Sequence, residues 1–223
     1  MKERAGQLWL FDMDGTLFRT EPVGVPAFHL TIRRMAESGI APPSPVTDER
    51  ITSTFGLTHD KIWDRLYDGG LNRGQQAAAD AVLLEEEIRL IGQGVGQLYD
   101  SVIDTLDTLH REGASLAVAS NGQQPYIEAI VRHFGIAGLF SGLYSASGAG
   151  VATKVDLVRL ACAKIAHSTA VMVGDRYTDI EAGRANGLFT VGCAFGFGER
   201  EVADADVIVR TFPEILAIDT VAR

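Results

Sequence analysis

Leu8-Trp9-Leu10-Phe11-Asp12-Met13-Asp14-Gly15-Thr16 is the stretch from which the rest of the chain can be read. Four apolar residues in a row, with no polar alternation, suit a strand buried on both faces in a parallel sheet covered by helices. The run then turns polar at once, with two aspartates one residue apart, a glycine and a threonine. A strand ending this way delivers its acidic groups to the carboxyl edge of the sheet, where open α/β sheets hold their ligands.

Further along, the same pattern repeats. Ser115 to Ser120 reads as a strand closed by the turn signal Asn121-Gly122, and Pro125 to Phe134 as a helix stopped by Gly135. A strand is expected from Leu139-Phe140 to Tyr144, and Lys154 to Ile165 is helical in period. Strand Ala170–Val173, helix Thr178–Ala185 closed by Asn186-Gly187, strand Leu188–Cys193 and the short Val207-Ile208-Val209 complete the series. Apolar strands separated by helices predict an open, doubly wound parallel α/β sheet.

Between the first strand and this alternation the chain changes character. Residues 20–97 carry helix-period segments at Pro26–Ala36, Lys61–Tyr67 and Gln75–Ile91, punctuated by Pro42-Pro43-Ser44-Pro45 and Asp68-Gly69-Gly70. They read as an inserted α-helical cap domain, with 1–19 and 98–223 forming the α/β catalytic core. Leu98 to Arg111 is expected to be the helix that returns the chain to the core.

Composition bounds what such a molecule can do. At 223 residues, 46% hydrophobic and 22% charged, the chain can bury a sizeable core without metal staples or disulfides. Its net charge of -9 argues against general binding of nucleic acid or anionic membrane, so any anion needs a local cation site. No apolar run reaches membrane-spanning length, and Met1-Lys2-Glu3-Arg4 before Leu8–Phe11 is too short for a signal peptide. Two cysteines, Cys162 and Cys193, suit a reducing compartment, and a cytoplasmic setting is expected. Oligomeric state is not legible.

Four polar clusters follow strands or open helices on the expected edge: Asp12-Met13-Asp14-Gly15-Thr16, Ser120-Asn121-Gly122, Lys154, and Gly174-Asp175-Arg176-Tyr177-Thr178-Asp179. Crowded carboxylates repel one another, and a divalent cation relieves the repulsion; all-oxygen ligands select Mg²⁺. Such a cation with Lys154 would attract a phosphate, and Ser120 with neighbouring N–H groups could hold its oxygens. Each cluster alone has a plainer reading. Asp12-x-Asp14-Gly15 is a common acidic turn, Lys154 a solvated helix-start lysine, Ser120 an N-cap, Asn121-Gly122 a turn, and Asp179 a helix cap. It is their order and common edge that favour function. The glycines of Gly148–Thr153 open no N-terminal strand–helix unit and read as loop, and the five histidines lack metal spacing. Arg19, Arg33 and Arg34 read as solvated charge.

Taken together, the four motifs resemble the haloacid dehalogenase-like superfamily, in particular its phosphoglycolate-phosphatase-like and β-phosphoglucomutase-like branch with a helical cap. The D-x-D-G-T motif is matched by Asp12, Asp14, Gly15 and Thr16, and the later motifs by Ser120, Lys154, Asp175 and Asp179. The resemblance implies that Asp12 attacks phosphorus to form an aspartyl-phosphate, and that Asp14 protonates the leaving alcohol and then activates water. It implies Mg²⁺ at Asp12, Asp14 (through its backbone carbonyl), Asp175 and Asp179, and phosphoryl oxygens on Ser120, Asn121 and Lys154. The dehalogenases themselves lack the second aspartate, so Asp14 favours phosphate chemistry on a small phosphorylated metabolite. A phosphosugar mutase would use the same groups. A non-enzymatic phospho-accepting switch shares the acidic pocket, but not the Asp-x-Asp after the first strand or the cap.

Overall fold

In the computed structural model, residues 4–198 and 200–219 are described. Residues 1–3, most of the N-terminal stretch weighed above as a signal peptide, lie outside them. In chain order the elements are β1 (Gln7–Phe11), β2 (Phe18–Arg19), α1 (Glu21–Glu37), α2 (Asp48–Thr52), α3 (His59–Leu66), α4 (Arg73–Gly92), β3 (Gln97–Leu98) and α5 (Val102–Arg111). There follow β4 (Ser115–Ser120), α6 (Gln124–His133), β5 (Phe140–Ser145), α7 (Ala146–Ala149), α8 (Lys154–Lys164), β6 (Thr169–Gly174), α9 (Tyr177–Ala185), β7 (Phe189–Cys193) and β8 (Val207–Val209). The chain divides into two compact units, Met1–Arg19 with Leu98–Arg223, and Thr20–Gln97.

The first unit is a six-stranded parallel sheet in the order β5-β4-β1-β6-β7-β8. β1 is central because all of its side chains can be buried: Leu8, Trp9, Leu10 and Phe11 are fully inaccessible. Strand pleating sends them to opposite faces. Leu8 and Leu10 join Ala117, Ala119 and Met172 under Leu157, Val158 and Ala161 of α8 and Ala182 of α9. On the opposite face Trp9 stacks on Phe11, which meets Phe212. Strands are added on one side of β1 through β4 and β5, then on the other through β6 to β8. That reversal makes the carboxyl end of β1 the switch point, where adjacent loops diverge and leave a crevice.

Most expected elements are present, with shifted ends. The returning helix is shorter than the periodicity predicts. Leu98 lies in β3, Tyr99 N–H donates to the Leu17 carbonyl at 3.0 Å, and the backbone passes through left-handed Ser101 before α5 starts. The glycine- and alanine-rich stretch after β5, expected as loop, contains α7, capped by the Ser145 hydroxyl accepting from Gly148 N–H at 2.9 Å.

The second unit is helical, with Phe28, Phe55 and Trp63 in ring contact at its centre. Its α1 starts five residues before the expected Pro26, because Pro22 occupies a helix-start position where the missing N–H has no bond to lose. α4 is fixed by a capping box in which Asn72 and Gln75 exchange side-chain and backbone bonds. α2, at five residues, is too short for periodicity to reveal. Among the described residues no helix is long and apolar enough to cross a membrane.

Candidate active site

The edge beyond β1, β4 and β6 collects the polar residues. Asp12 is the residue after β1, and its N–H bonds the Val173 carbonyl of β6 at 2.9 Å, so the backbone of the first motif is stitched to the strand that delivers Asp175. The chain then turns sharply: Leu17 and Phe18 N–H groups both bond the Met13 carbonyl, and Gly15 sits at φ +77°. A side chain at Gly15 would be strained by that φ, and its Cβ would fall 2.4 Å from Asp175 Oδ2. The glycine therefore lets the acidic turn and Asp175 occupy one small volume.

Asp175 is fully buried and held from both sides. Thr16 Oγ1 donates to Oδ1 at 3.2 Å, and Phe197 N–H donates to Oδ2 at 2.8 Å. Asp179 lies in the first turn of α9, where Oδ2 accepts from Arg176 N–H at 3.0 Å. Its other oxygen meets the ammonium of Lys154. One oxygen of Asp179 thus caps the helix, as the plainer reading expects, and the other faces Lys154. A Cβ at Gly174 would collide with Asp179 at 2.2 Å, so this close tuck requires glycine at the end of β6.

Lys154 opens α8, whose start is fixed by Thr153 Oγ1 accepting from Asp156 N–H at 3.1 Å. Its Nζ stands 2.8 Å from Asp12 Oδ1 while also pairing with Asp179. Burial alone would push the lysine's pKa down, but the two carboxylates outweigh it and hold the pKa above the ordinary value. The opposite holds for its partners. Burial, with its neighbouring carboxylates, drives Asp175 well above the usual carboxylate range. Burial, with Asp12 nearby, lifts Asp179 to about 6 despite Lys154. One ammonium satisfies itself among several carboxylates; the carboxylates do not all satisfy themselves on one ammonium.

Asp12, Asp175 and Asp179 offer oxygens within 4.8 Å of one another, all buried. Three carboxylates against one ammonium leave two negative charges in excess. A hard divalent cation fits both that charge and the all-oxygen donor set. The cluster excludes Asp14, whose Oδ1 accepts from the Tyr126 hydroxyl at 2.6 Å. Ser120, buried at the end of β4, accepts from Gly122 N–H through Oγ at 3.1 Å, and Asn121 follows it on the same edge.

The first unit thus brings Asp12, Lys154, Asp175 and Asp179 into direct association, and Asp14, Ser120 and Asn121 onto the same edge. Two participants escape the sequence reading. Tyr126 sits one turn ahead of Ile130 in α6, a spacing that marks it as inward-facing but gives no hint of a carboxylate partner. The Phe197 amide acts through backbone, which leaves no side-chain signature. Of the arginines read as solvated charge, Arg19 lies over the Tyr99 ring and contacts Asp100, while Arg34 is engaged by Glu85 and Glu86.

Comparison with known proteins agrees with this architecture. The family described as haloacid dehalogenase-like hydrolase matches residues 7–187. The tyrosine-protein kinase PtkA of Mycobacterium tuberculosis is 30% identical over 201 residues, covering 89% of this chain and 65% of that protein, so the chain spans about two thirds of this relative's length. A phosphoglycolate phosphatase of Salmonella typhi is 25% identical over 234 residues, covering 92% and 89%. Among solved structures, CbbY from Rhodobacter sphaeroides in complex with phosphate superimposes with a TM-score of 0.76 at 26% identity, covering 96% of each chain.

Proposed function

From the premise that the chain belongs to the haloacid dehalogenase-like hydrolases, we propose that it is a Mg²⁺-dependent phosphatase that hydrolyses a phosphomonoester of a small metabolite through an aspartyl-phosphate. One observation carries the reading: Lys154 Nζ, 2.8 Å from Asp12, is shared with Asp179 inside a buried three-carboxylate cluster. That is an anion-binding ammonium beside a nucleophilic carboxylate, with surplus negative charge for a cation to neutralise. The phosphoglycolate phosphatase relative supports a small phosphorylated substrate. Two free cysteines, one of them buried, are consistent with a reducing, cytoplasmic setting.

In this reading Asp12 attacks phosphorus with a carboxylate oxygen, and the ester oxygen leaves with a proton from Asp14. Asp14 then takes a proton from water, whose attack on the acyl phosphate releases inorganic phosphate and restores Asp12. Lys154 stays charged throughout, its pKa held up by Asp12 and Asp179 despite burial, and orients the phosphoryl group while pairing with Asp12. Ser120 and Asn121 bind phosphoryl oxygens. Asp12, the Asp14 carbonyl, Asp175 and Asp179 would hold Mg²⁺, which when bound neutralises charge on the transferring phosphoryl group. The helical unit 20–97 would serve as the cap that selects substrate.

The test is phosphate release over a panel of phosphorylated metabolites, with Mg²⁺ and with EDTA. Metal-dependent release from a small monoester is expected. Conversion of a hexose 1-phosphate to its isomer without free phosphate would replace hydrolase by mutase. Transfer from ATP to peptide tyrosine would replace it by the activity that PtkA is named for.

A further inference from the structure

The general acid–base assigned to Asp14 needs a carboxyl group held at one place, since proton transfer in the transition state depends on position to within a fraction of an ångström. Asp14 lies in the turn after β1, only partly buried. What anchors its side chain comes from another element: the Tyr126 hydroxyl of α6 donates to Asp14 Oδ1 at 2.6 Å, across 112 residues of sequence. The phenol is itself fixed. Tyr126 is only 3% exposed, and its ring meets Phe18 edge-on with centroids 6.3 Å apart. The ring also lies against Gly122, where an added Cβ would sit 3.1 Å from Tyr126 Cδ1. Gly122 N–H in turn bonds Ser120 Oγ. One rigid ring thus connects the turn after β4, which presents Ser120, to the turn after β1, which presents Asp14.

Resting on the phosphatase reading above, we infer that Tyr126 is a positioning residue for proton transfer. By donating to Oδ1 it fixes the rotation of the Asp14 carboxyl group, and the exchanged proton is carried on Oδ2, directed at the leaving oxygen. Tyr126 does not touch phosphorus and acts through Asp14 alone. Its contribution therefore scales with how much the leaving group needs a proton.

That dependence separates positioning from general structural support. The full chain and its Tyr126→Phe variant, which keeps the ring and its packing, are compared with Mg²⁺ on 4-nitrophenyl, 4-chlorophenyl and phenyl phosphate, in order of rising leaving-group basicity. The ratio kcat/KM reports the steps through departure of the alcohol. The variant should lose about tenfold on phenyl phosphate, a fraction of what general acid catalysis contributes, and less than about twofold on 4-nitrophenyl phosphate. In an Asp14→Asn background the same substitution should have no effect. An equal loss on all three esters, or no loss on any, overturns the role of Tyr126 while leaving the phosphatase reading intact. Failure of the unaltered chain to release phosphate from any ester overturns both.

Discussion

Charged groups are handled in opposite ways in the two units. In the helical unit carboxylates are answered locally: Glu86 meets both Arg34 and Arg89, Asp68 meets Arg50, and Asp80 meets His59. Burial would raise the Glu86 pKa, yet the two arginines outweigh it and leave it depressed. At the edge of the sheet Asp12 and Asp179 share Lys154 with Asp175 beside them, and burial leaves Asp175 and Asp179 raised. The carboxylates shift in opposite directions because Asp175 and Asp179 are more deeply buried and have fewer cations near them than Glu86, which meets two arginines. Balanced charge supports a fold; a buried surplus marks a candidate functional site.

The largest expected effect tests chemistry rather than balance. Asp12→Asn should cut phosphate release by about 10⁴-fold or more, as loss of a nucleophile does, with circular dichroism unchanged. Retained turnover would remove the chemical meaning of the charged edge.

Removing the shared cation should cost far more than removing a balanced one. Lys154→Met leaves buried Asp12 and Asp179 without their cation and should lower stability by about 3–5 kcal/mol in metal-free urea unfolding. Arg34→Ala, whose side chain is 41% exposed and whose partner Glu86 keeps Arg89, should lose far less. Equal losses would erase the contrast.

Mg²⁺ offers an intermediate test. At a hundred times its dissociation constant it should stabilise the fold by about 2.7 kcal/mol, read as a rise in melting temperature, and Asp175→Asn should abolish the rise.

The dependence on pH sharpens the comparison further. Asp179 titrates near 6 in the fold against about 3.9 when unfolded, so the folded state binds the extra proton. Metal-free stability from this group therefore falls as pH rises from about 4 to 6, and Asp175 acts in the same direction. Glu86, depressed in the fold, contributes stability that is present above its unfolded pKa and lost as acid protonates it. The stabilisation by Mg²⁺ should accordingly grow between pH 5 and 7, because the cation takes the place of protons; a pH-independent increment would break the argument.

Much of this was legible beforehand. Continuous apolar runs such as Leu8–Phe11 and Ala170–Val173 read as strands covered on both faces, and a parallel sheet places the acidic, hydroxyl and lysine clusters beside its strand ends on one edge. Helix ends were less legible. Pro22 and the left-handed Ser101 shift them by local backbone preferences that apolar periodicity does not record.

The sequence by itself determined the sheet, the inserted helical segment and which residue types reach the edge, because burial pattern and chain order are local properties of the string. Only the tertiary structure decided that Lys154 divides its charge between Asp12 and Asp179, that a backbone amide at Phe197 holds Asp175, and that Tyr126 anchors Asp14. Those pairings join residues 22 to 142 positions apart, and contacts of that range are set by packing geometry, to which the order of amino acids gives no direct reading.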